Sequence, residues 1–396
     1  RLQLVEAVHP NISNQGHFDH PFVYIFKDPS KEEIISGFTR NLFGQDLIMN
    51  RLNPGSISVH LADRRSLPDT YKIAPCLMKA LNALQDITAE GAGIQAAVGI
   101  LAALFATDHT IVFIDEPDVF LHPPQAADLG EIISKAQTKQ IFLATHSSRL
   151  IQGLAKEAPE RLKIIRLKKE GASYSAHRIL TSVFESVSAD ALLRFTNTLE
   201  SLFHDITIIC ENEADCLVYS EALRRLGLVS QQTGLHFLSA HGDGGLSKIF
   251  STCHKLASDT VVICDFDLLF PDKRHTLLRI MEARSESTAE ISDDFEKLDR
   301  VMNGAKLNWE NTKSGGIERL SDVADAYNLC ARLISKLRAC GILVVRFGEL
   351  ENLREPKAAK RDADALLEEI QSSDNLERAR KVAKELAELL RQIQPA

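Results

Sequence analysis

Short apolar runs alternate with amphipathic stretches along most of the chain, and carboxylates or glycines sit at the joins. The pattern predicts a helix over Tyr71 to Leu84 and an apolar helix from about Ile94 to Phe105. A buried strand is expected over Thr110 to Ile114, then an amphipathic helix from Gln125 to Lys135. "QIFLATHSSRLIQGL" reads as strand, polar turn and helix, and "KIIRLKKEGASYSAHRI" as a hairpin turning at Glu170-Gly171. A helical connector near Ala189 to Phe203 leads into a second series. That series has strands at Ile206 to Cys210, in "LHFLS" and in "DTVVIC", with a helix at about Ala214 to Leu226 and a glycine turn before the next helix. Strands that alternate with helices imply parallel βαβ units. Polar helical sequence fills Pro271 to Ala339, "GILVVRF" supplies one more strand, and a charged helical tail runs from Glu355 to Ile393. From Arg1 to about Thr70 the pattern is mixed, with turn signals such as "NPGS" and "LPDT", and no fold is read there.

At 396 residues the chain is long for one core, and two domains are expected. Its 44% hydrophobic and 25% charged residues suit a globular protein. No apolar run spans a bilayer, and "RLQLVEAVHP" lacks the order of a signal peptide. The 7 cysteines form no Cys-x-x-Cys pair, which argues against a zinc ribbon or a disulfide framework and for a reducing, cytoplasmic setting. A net charge of −8 argues against a protein that coats nucleic acid, though not against a nucleic-acid enzyme with clustered metal-binding carboxylates. The basic run "RLKIIRLKK" is read as a solvated strand edge.

Two constellations carry chemistry. In the first, "IVFIDEPDVFLHP" ends an apolar strand in Asp115 and Glu116, adjacent like charges that call for a cation. One carboxylate can hold magnesium while its neighbour orients the attacking water in phosphoryl transfer. His146 ends the next strand in "ATHSS", placed to sense a γ-phosphate. "AEGAGIQ" opens a helix, where backbone N–H groups near Gly91 and Gly93 can face phosphate oxygens. Taken singly, the carboxylates also read as solvated caps. In order, the three segments resemble the ATP-binding-cassette ATPases related to chromosome-maintenance proteins: Walker B with D-loop, switch histidine, and a weak signature loop. No Gly-x-x-x-x-Gly-Lys-Ser/Thr P-loop occurs. The expectation is a chain lacking its native N-terminal segment, or a degenerate ATPase, that hydrolyses ATP poorly as it stands.

In the second, Glu211 ends one strand, Asp215 lies one turn into the next helix, and Asp265 and Asp267 end another strand. If those strands are neighbours, four carboxylates converge, and hard Mg2+ or Mn2+ ions suit them. The bland alternatives are helix N-terminal charge for Glu211 and Asp215, and a polar loop for Asp265 and Asp267. "HGDGG" could touch metal or phosphate, but a strand-to-helix turn explains its glycines; Trp309 reads as a packing residue rather than a base-stacking platform, and His9, His17, His20 and His60 lack ligand spacing. The Glu and Asp-x-Asp pattern resembles the Toprim fold of topoisomerases, primases and certain nucleases.

A cassette ATPase followed by a Toprim domain resembles the overcoming-lysogenization-defect (OLD) family, which includes Gabija-type defence nucleases. The resemblance covers about Asp86 to Leu353. It implies an α/β protein in four parts: a partial ATPase domain at 1–185, a connector at 186–204, a Toprim domain at 205–354 with a helical insertion at about 271–339, and a helical tail at 355–396. It implies a DNA endonuclease with Glu211 and Asp265 as ligands near the nucleophile, and Asp215, Asp267 and Glu351 completing a second metal position. The two ions would lie about 3.5–4 Å apart. The family also uses a lysine, for which Lys381 and Lys384 are candidates. Implied partners are DNA, ATP with Mg2+ at Asp115, Glu116 and His146, a second copy of the chain, and a helicase or other defence protein. No membrane is implied. The alternative is an ATP-dependent DNA-binding or repair module with an inactive Toprim scaffold.

Overall fold

The computed structural model describes residues 20–52, 57–68, 74–157, 159–170, 172–225, 227, 234–256, 258–353 and 377–393. They fall into two compact units that divide between Leu162 and Lys163.

The first unit opens with α1 (Pro21–Lys27) and α2 (Pro29–Phe43), each begun by a proline that a capping side chain precedes. The Asp28 carboxylate accepts from Ser30 N–H at the start of α2. Strands β1 (Asp46–Asn50) and β2 (Ser58–Ala62) pair antiparallel and are almost wholly buried. Glu32, buried on α2, is held by the guanidinium groups of Arg51 and Arg64. Helix α3 (Ala74–Asn82) lies within the expected span, and α4 (Ala92–Phe105) begins just ahead of the expected Ile94. Then β3 (Ile111–Asp115) pairs parallel with β4 (Gln140–Ala144), with α5 (Pro123–Ser134) between them and α6 (Ser148–Glu157) after. Val98 and Leu101 of α4, Ile114 of β3, Leu129 and Ile132 of α5, and Leu150 of α6 share one core with β1 and β2.

Helices α5 and α6 cross through glycines. A Cβ on Gly153 would lie 1.9 Å from Ala127 O, and one on Gly130 would lie 2.3 Å from Leu150 O. Only backbone-to-backbone approach fits there, and it fixes the segments that leave β3 and β4 against each other.

The second unit begins with the hairpin β5 (Ile164–Glu170) and β6 (Ser173–Ile179). Its expected place is the N-terminal domain ending at residue 185. Instead Lys168 pairs with Asp259 at 2.5 Å, and Arg166 donates to His204 O at 2.5 Å, which groups the hairpin with the second unit. The connector folds as α7 (Thr181–Ala189), α8 (Ala191–Phe195) and a 3-10 turn over Thr198–Phe203.

A four-stranded parallel sheet comes next, in the order β10 (Ile342–Val344), β9 (Asp259–Cys264), β7 (Ile206–Cys210), β8 (Leu235–Ser239). Strands β7 and β9 are buried along almost their full length, as parallel strands covered on both faces must be. Helix α9 (Glu213–Arg225) succeeds β7, and α10 (Asp243–Lys255) succeeds β8. Between β9 and β10 the expected helical insertion appears as α11 (His275–Ala283), α12 (Ala289–Gly304), α13 (Trp309–Thr312) and α14 (Ala324–Ala339). The tail helix α15 (Glu377–Ile393) buries Val382, Leu386 and Leu390 in the core formed by Ile208, Val218, Tyr219 and Ile263. The rest of the predicted tail, 355–376 and 394–396, lies outside the described residues. Among the described residues no helix is long and apolar enough to cross a membrane.

Gly153→Ala is expected to destabilise the first unit by about 2 kcal/mol or more, because backbone rather than a movable side chain blocks the added methyl. Denaturant unfolding of the full chain would check this. An unchanged midpoint would mean that α5 and α6 do not cross as closely as described.

Candidate active site

In the first unit, the register Asp115↔Ala144 places the ends of β3 and β4 side by side. Glu116 takes a left-handed backbone, φ 47°, and its N–H donates to Ala144 O at 2.9 Å. Such a conformation is uncommon for glutamate and persists where surrounding contacts enforce it. The turn brings Glu116 Oε1 to 3.3 Å from His146 Nε2. Thr145 Oγ1 donates to Asp118 at 2.7 Å and accepts from Ser147 N–H at 2.9 Å. The "DEPD" and "THSS" segments are thus tied side chain to side chain. His146 is 86% exposed and Asp115 is exposed, so this face is open to a ligand.

The glycines of "EGAGIQ" have different roles. Gly91 caps α4 with open space around it. Gly93 is buried, and a Cβ there would meet Phe120 O at 2.5 Å. Close packing against the segment after Glu116 requires the absence of a side chain at Gly93.

In the second unit, β7 and β9 are neighbours, as the convergence of Glu211 and Asp265 requires. Asp215 is buried in the first turn of α9 and accepts from Asn212 N–H at 2.9 Å. Asp267 lies in the 3-10 turn after β9, only 6% exposed, and its Oδ1 has no hydrogen-bond partner among the described residues. Burial and the facing carboxylates of Asp267 and Asp215 raise the Glu211 carboxyl to about 7. Burial, then Asp215, Glu211, Asp267 and Glu349, push the Asp265 carboxyl well above the usual range. The predicted residues Glu211, Asp215, Asp265 and Asp267 are therefore brought together electrostatically. Glu351 lies in the turn Leu350–Leu353, with its side chain outside the described set.

Sequence reasoning did not single out three members of this site, Asp243, Lys273 and Lys313. Asp243, the first residue of α10 in "HGDGG", lies 3.1 Å from Lys273 Nζ. The same ammonium lies 2.8 Å from Asp267 Oδ2. Lys313 Nζ reaches Glu349 at 3.3 Å and Asp267 at 3.6 Å. Burial disfavours the charge on both lysines, but hydrogen bonds to these carboxylates outweigh it, and both pKa values rise. No local motif marks Lys273 or Lys313, and only the fold of the insertion delivers them. Lys381 and Lys384 are exposed on α15, where Lys381 pairs with Glu377 at 3.3 Å. Trp309 packs on Phe270 with ring centroids 5.3 Å apart, which anchors α13 one turn before Lys313.

Among the described residues no group of three or more His, Cys, Asp or Glu side chains stands at cation-binding spacing, and the lysine ammoniums lie among the carboxylates. The donor set is nevertheless all oxygen, and Asp267 Oδ1 lacks a hydrogen-bond partner among the described residues, which suits a hard divalent ion.

Residues 82–152 match a family profile described as "AAA domain, putative AbiEii toxin, Type IV TA system". They span the glycine loop, the Asp115-Glu116 segment and the His146 segment. Over 280 residues the chain is 20% identical to the Old nuclease of Escherichia phage P2. That similarity agrees with the resemblance to the OLD family. The match takes in 66% of this chain and 46% of that relative, so the chain spans under half of the relative's length. A solved structure described as "Structural biochemistry of ATP-driven dimerization and DNA stimulated activation of SMC ATPases" covers 43% of this chain and 95% of its own, at 12% identity and a TM-score of 0.30. That likeness is too small to carry the fold.

The Glu211 carboxyl ionises at 4.5 in an ordinary setting and near 7 in the fold. Between those values the folded state holds a proton that the unfolded chain has released, so stability falls as pH rises from 5 to 7. Glu211→Gln is expected to raise the melting temperature of metal-free protein at pH 8 by about 2–4 °C, the shift that ~1 kcal/mol produces in a unit of this size. It should also make the decline from pH 5 to 7 shallower. A lower melting temperature at pH 8 would mean that Glu211 is ionised and paired in the fold.

Proposed function

We propose that the second unit is a Toprim nuclease domain that hydrolyses DNA phosphodiesters with Mg2+ or Mn2+, and that the first unit is the nucleotide-responsive part of the same enzyme. One observation carries the reading. Glu211 and Asp265 end neighbouring parallel strands, with Asp267 buried beside them and one of its oxygens unpartnered. Ligands of open α/β sheets bind at this edge. The relation to a phage Old nuclease supports the nuclease class, and the profile match over 82–152 supports the ATPase class.

Glu211, Asp215, Asp265 and Asp267 would hold the cation. When bound, it supplies Lewis-acid polarisation of the phosphate and acidifies a water molecule. The crowding that holds the Glu211 carboxyl up near 7 is what a bound cation would relieve, with Glu211 ionised as a ligand. Asp265 follows the last residue of β9, beside the strand that ends at Glu211. Lys313 holds Glu349 and so links the inserted helices to the strand ends. In the first unit, Asp115 and Glu116 would hold ATP-bound Mg2+, and His146, within 3.3 Å of Glu116, would report the nucleotide's state. DNA and ATP are the proposed ligands, and self-association and a cellular defence role belong to the same reading.

Supercoiled plasmid should be nicked or linearised in Mn2+ and left intact in chelator. Asp265→Asn should lower the rate about a hundredfold or more, since loss of even an outer partner of a metal ligand costs 10–100-fold. Its far-ultraviolet spectrum should match the parent. Cleavage by Asp265→Asn at the parent rate would refute the assignment of the site.

A further inference from the structure

Phe195 is the last residue of α8, and it is 73% exposed. A lone exposed phenylalanine is ordinary. Phe195 differs because both its backbone and its ring are held. Asp190 caps α8 by accepting from Leu192 N–H at 2.9 Å and Leu193 N–H at 3.2 Å, and it pairs with Lys248 of α10. Just after the ring, Thr196 is buried, and its hydroxyl lies 2.9 Å from Leu192 O and 2.8 Å from the Thr198 hydroxyl. The phenyl centroid stands 5.4 Å from that of the His241 ring, with the two planes tilted by 58°. Tilted contacts between aromatic rings are favourable, and this one leaves most of the phenyl in solvent.

His241 brings the ring to the strand ends. It opens "HGDGG" after β8 and takes a left-handed backbone, φ 53°. Such a backbone is uncommon outside glycine and persists where neighbours enforce it. His241 N–H donates to Ser239 Oγ at 3.2 Å, and Gly242 N–H donates to Glu211 O at 2.8 Å. A Cβ on Gly245 would lie 2.1 Å from Ala240 O and 3.3 Å from Leu192 Cδ2, so α8 packs directly on this turn. The exposed ring, the turn and the residue that follows β7 are therefore linked without a gap.

We infer that Phe195, backed by His241, is a stacking surface for an unpaired nucleobase of the DNA substrate. The inference rests on the DNA reading above and needs no metal ion. Every base has a face that can stack on a phenyl ring, so the contact is tolerant of sequence. Inside a duplex those faces are covered by neighbouring pairs, and only a single-stranded or extruded base reaches the ring. The surface therefore selects DNA with unpaired bases, and the turn at His241 sets where such a base lies relative to the end of β7.

The test uses the full chain in chelator, so that cleavage does not interfere. Its probes are a single-stranded oligonucleotide carrying 5-iododeoxyuridine and the duplex of the same sequence. Light-induced crosslinks from the single strand are expected on Phe195 or His241, located by mass spectrometry of the digest. Phe195→Leu keeps apolar bulk at an exposed position. It should bind the single strand about fivefold or more weakly, the loss expected for one stacked base. Its duplex affinity and melting temperature should match the parent, and Phe195→Trp should bind the single strand at least as tightly as the parent. Unchanged single-strand affinity in Phe195→Leu, an equal loss for both DNAs, or crosslinks confined to other residues would overturn the inference. An altered oligomeric mass with single-strand affinity retained would reassign the ring to a contact between copies. A parent that binds neither DNA in chelator would also overturn the inference, and plasmid cleavage in Mn2+ would then judge the nuclease reading separately.

Discussion

Repulsion among carboxylates at the ends of two neighbouring parallel strands is the constraint on which the second unit is built. Glu211 and Asp265 sit where burial and neighbouring carboxylates penalise ionisation, and both hold their protons more tightly. Such crowding is tolerable only with countercharge. Strands β7 and β9 are fixed as neighbours by a core in which Ile208, Val261 and Ile263 are buried, so the charges cannot move apart. The inserted helices bring Lys273 and Lys313 to the cluster, and Trp309, Phe270 and Arg274 hold that insertion in register. Helix α15 completes the hydrophobic cover over α9, the helix that carries Asp215.

The first unit solves a related problem with backbone geometry. Its paired carboxylates end a two-stranded parallel sheet, and a left-handed residue at Glu116 turns one of them toward His146. The glycine crossing at Gly130 and Gly153 and the contact of Gly93 with Phe120 remove side chains where segments must approach closely. The Thr145–Asp118 hydrogen bond then ties the two polar segments together. This arrangement brings Glu116 and His146 together on an exposed face of the unit.

Strand and helix periodicity makes the parallel sheet legible, because buried strands such as "ITIIC" and "TVVIC" are uniform apolar runs that end in carboxylates. The first helices escape such a reading, although Asp28-Pro29 is a capping signal with a helix-starting proline. The hairpin at Ile164 falls in the second unit against expectation because its anchors, Lys168 to Asp259 and Arg166 to His204, are separated in sequence. Asp243 hides in a turn whose glycines have a sufficient local explanation. Lys273 and Lys313 lie in polar helical sequence, and their meeting with Asp267 is a property of tertiary folding alone. The carboxylates are visible because they end strands, and their counter-ions are hidden because they do not.

The central claim is that the carboxyl ends of β7 and β9 form a cation site. Anomalous diffraction from crystals of the full chain grown with Mn2+ tests it most directly. The expected result is a peak enclosed by Glu211, Asp265 and Asp267, on the side of Asp267 away from Lys273. A Mn2+ peak elsewhere with none at these residues, at a concentration that saturates binding in solution, would contradict the account.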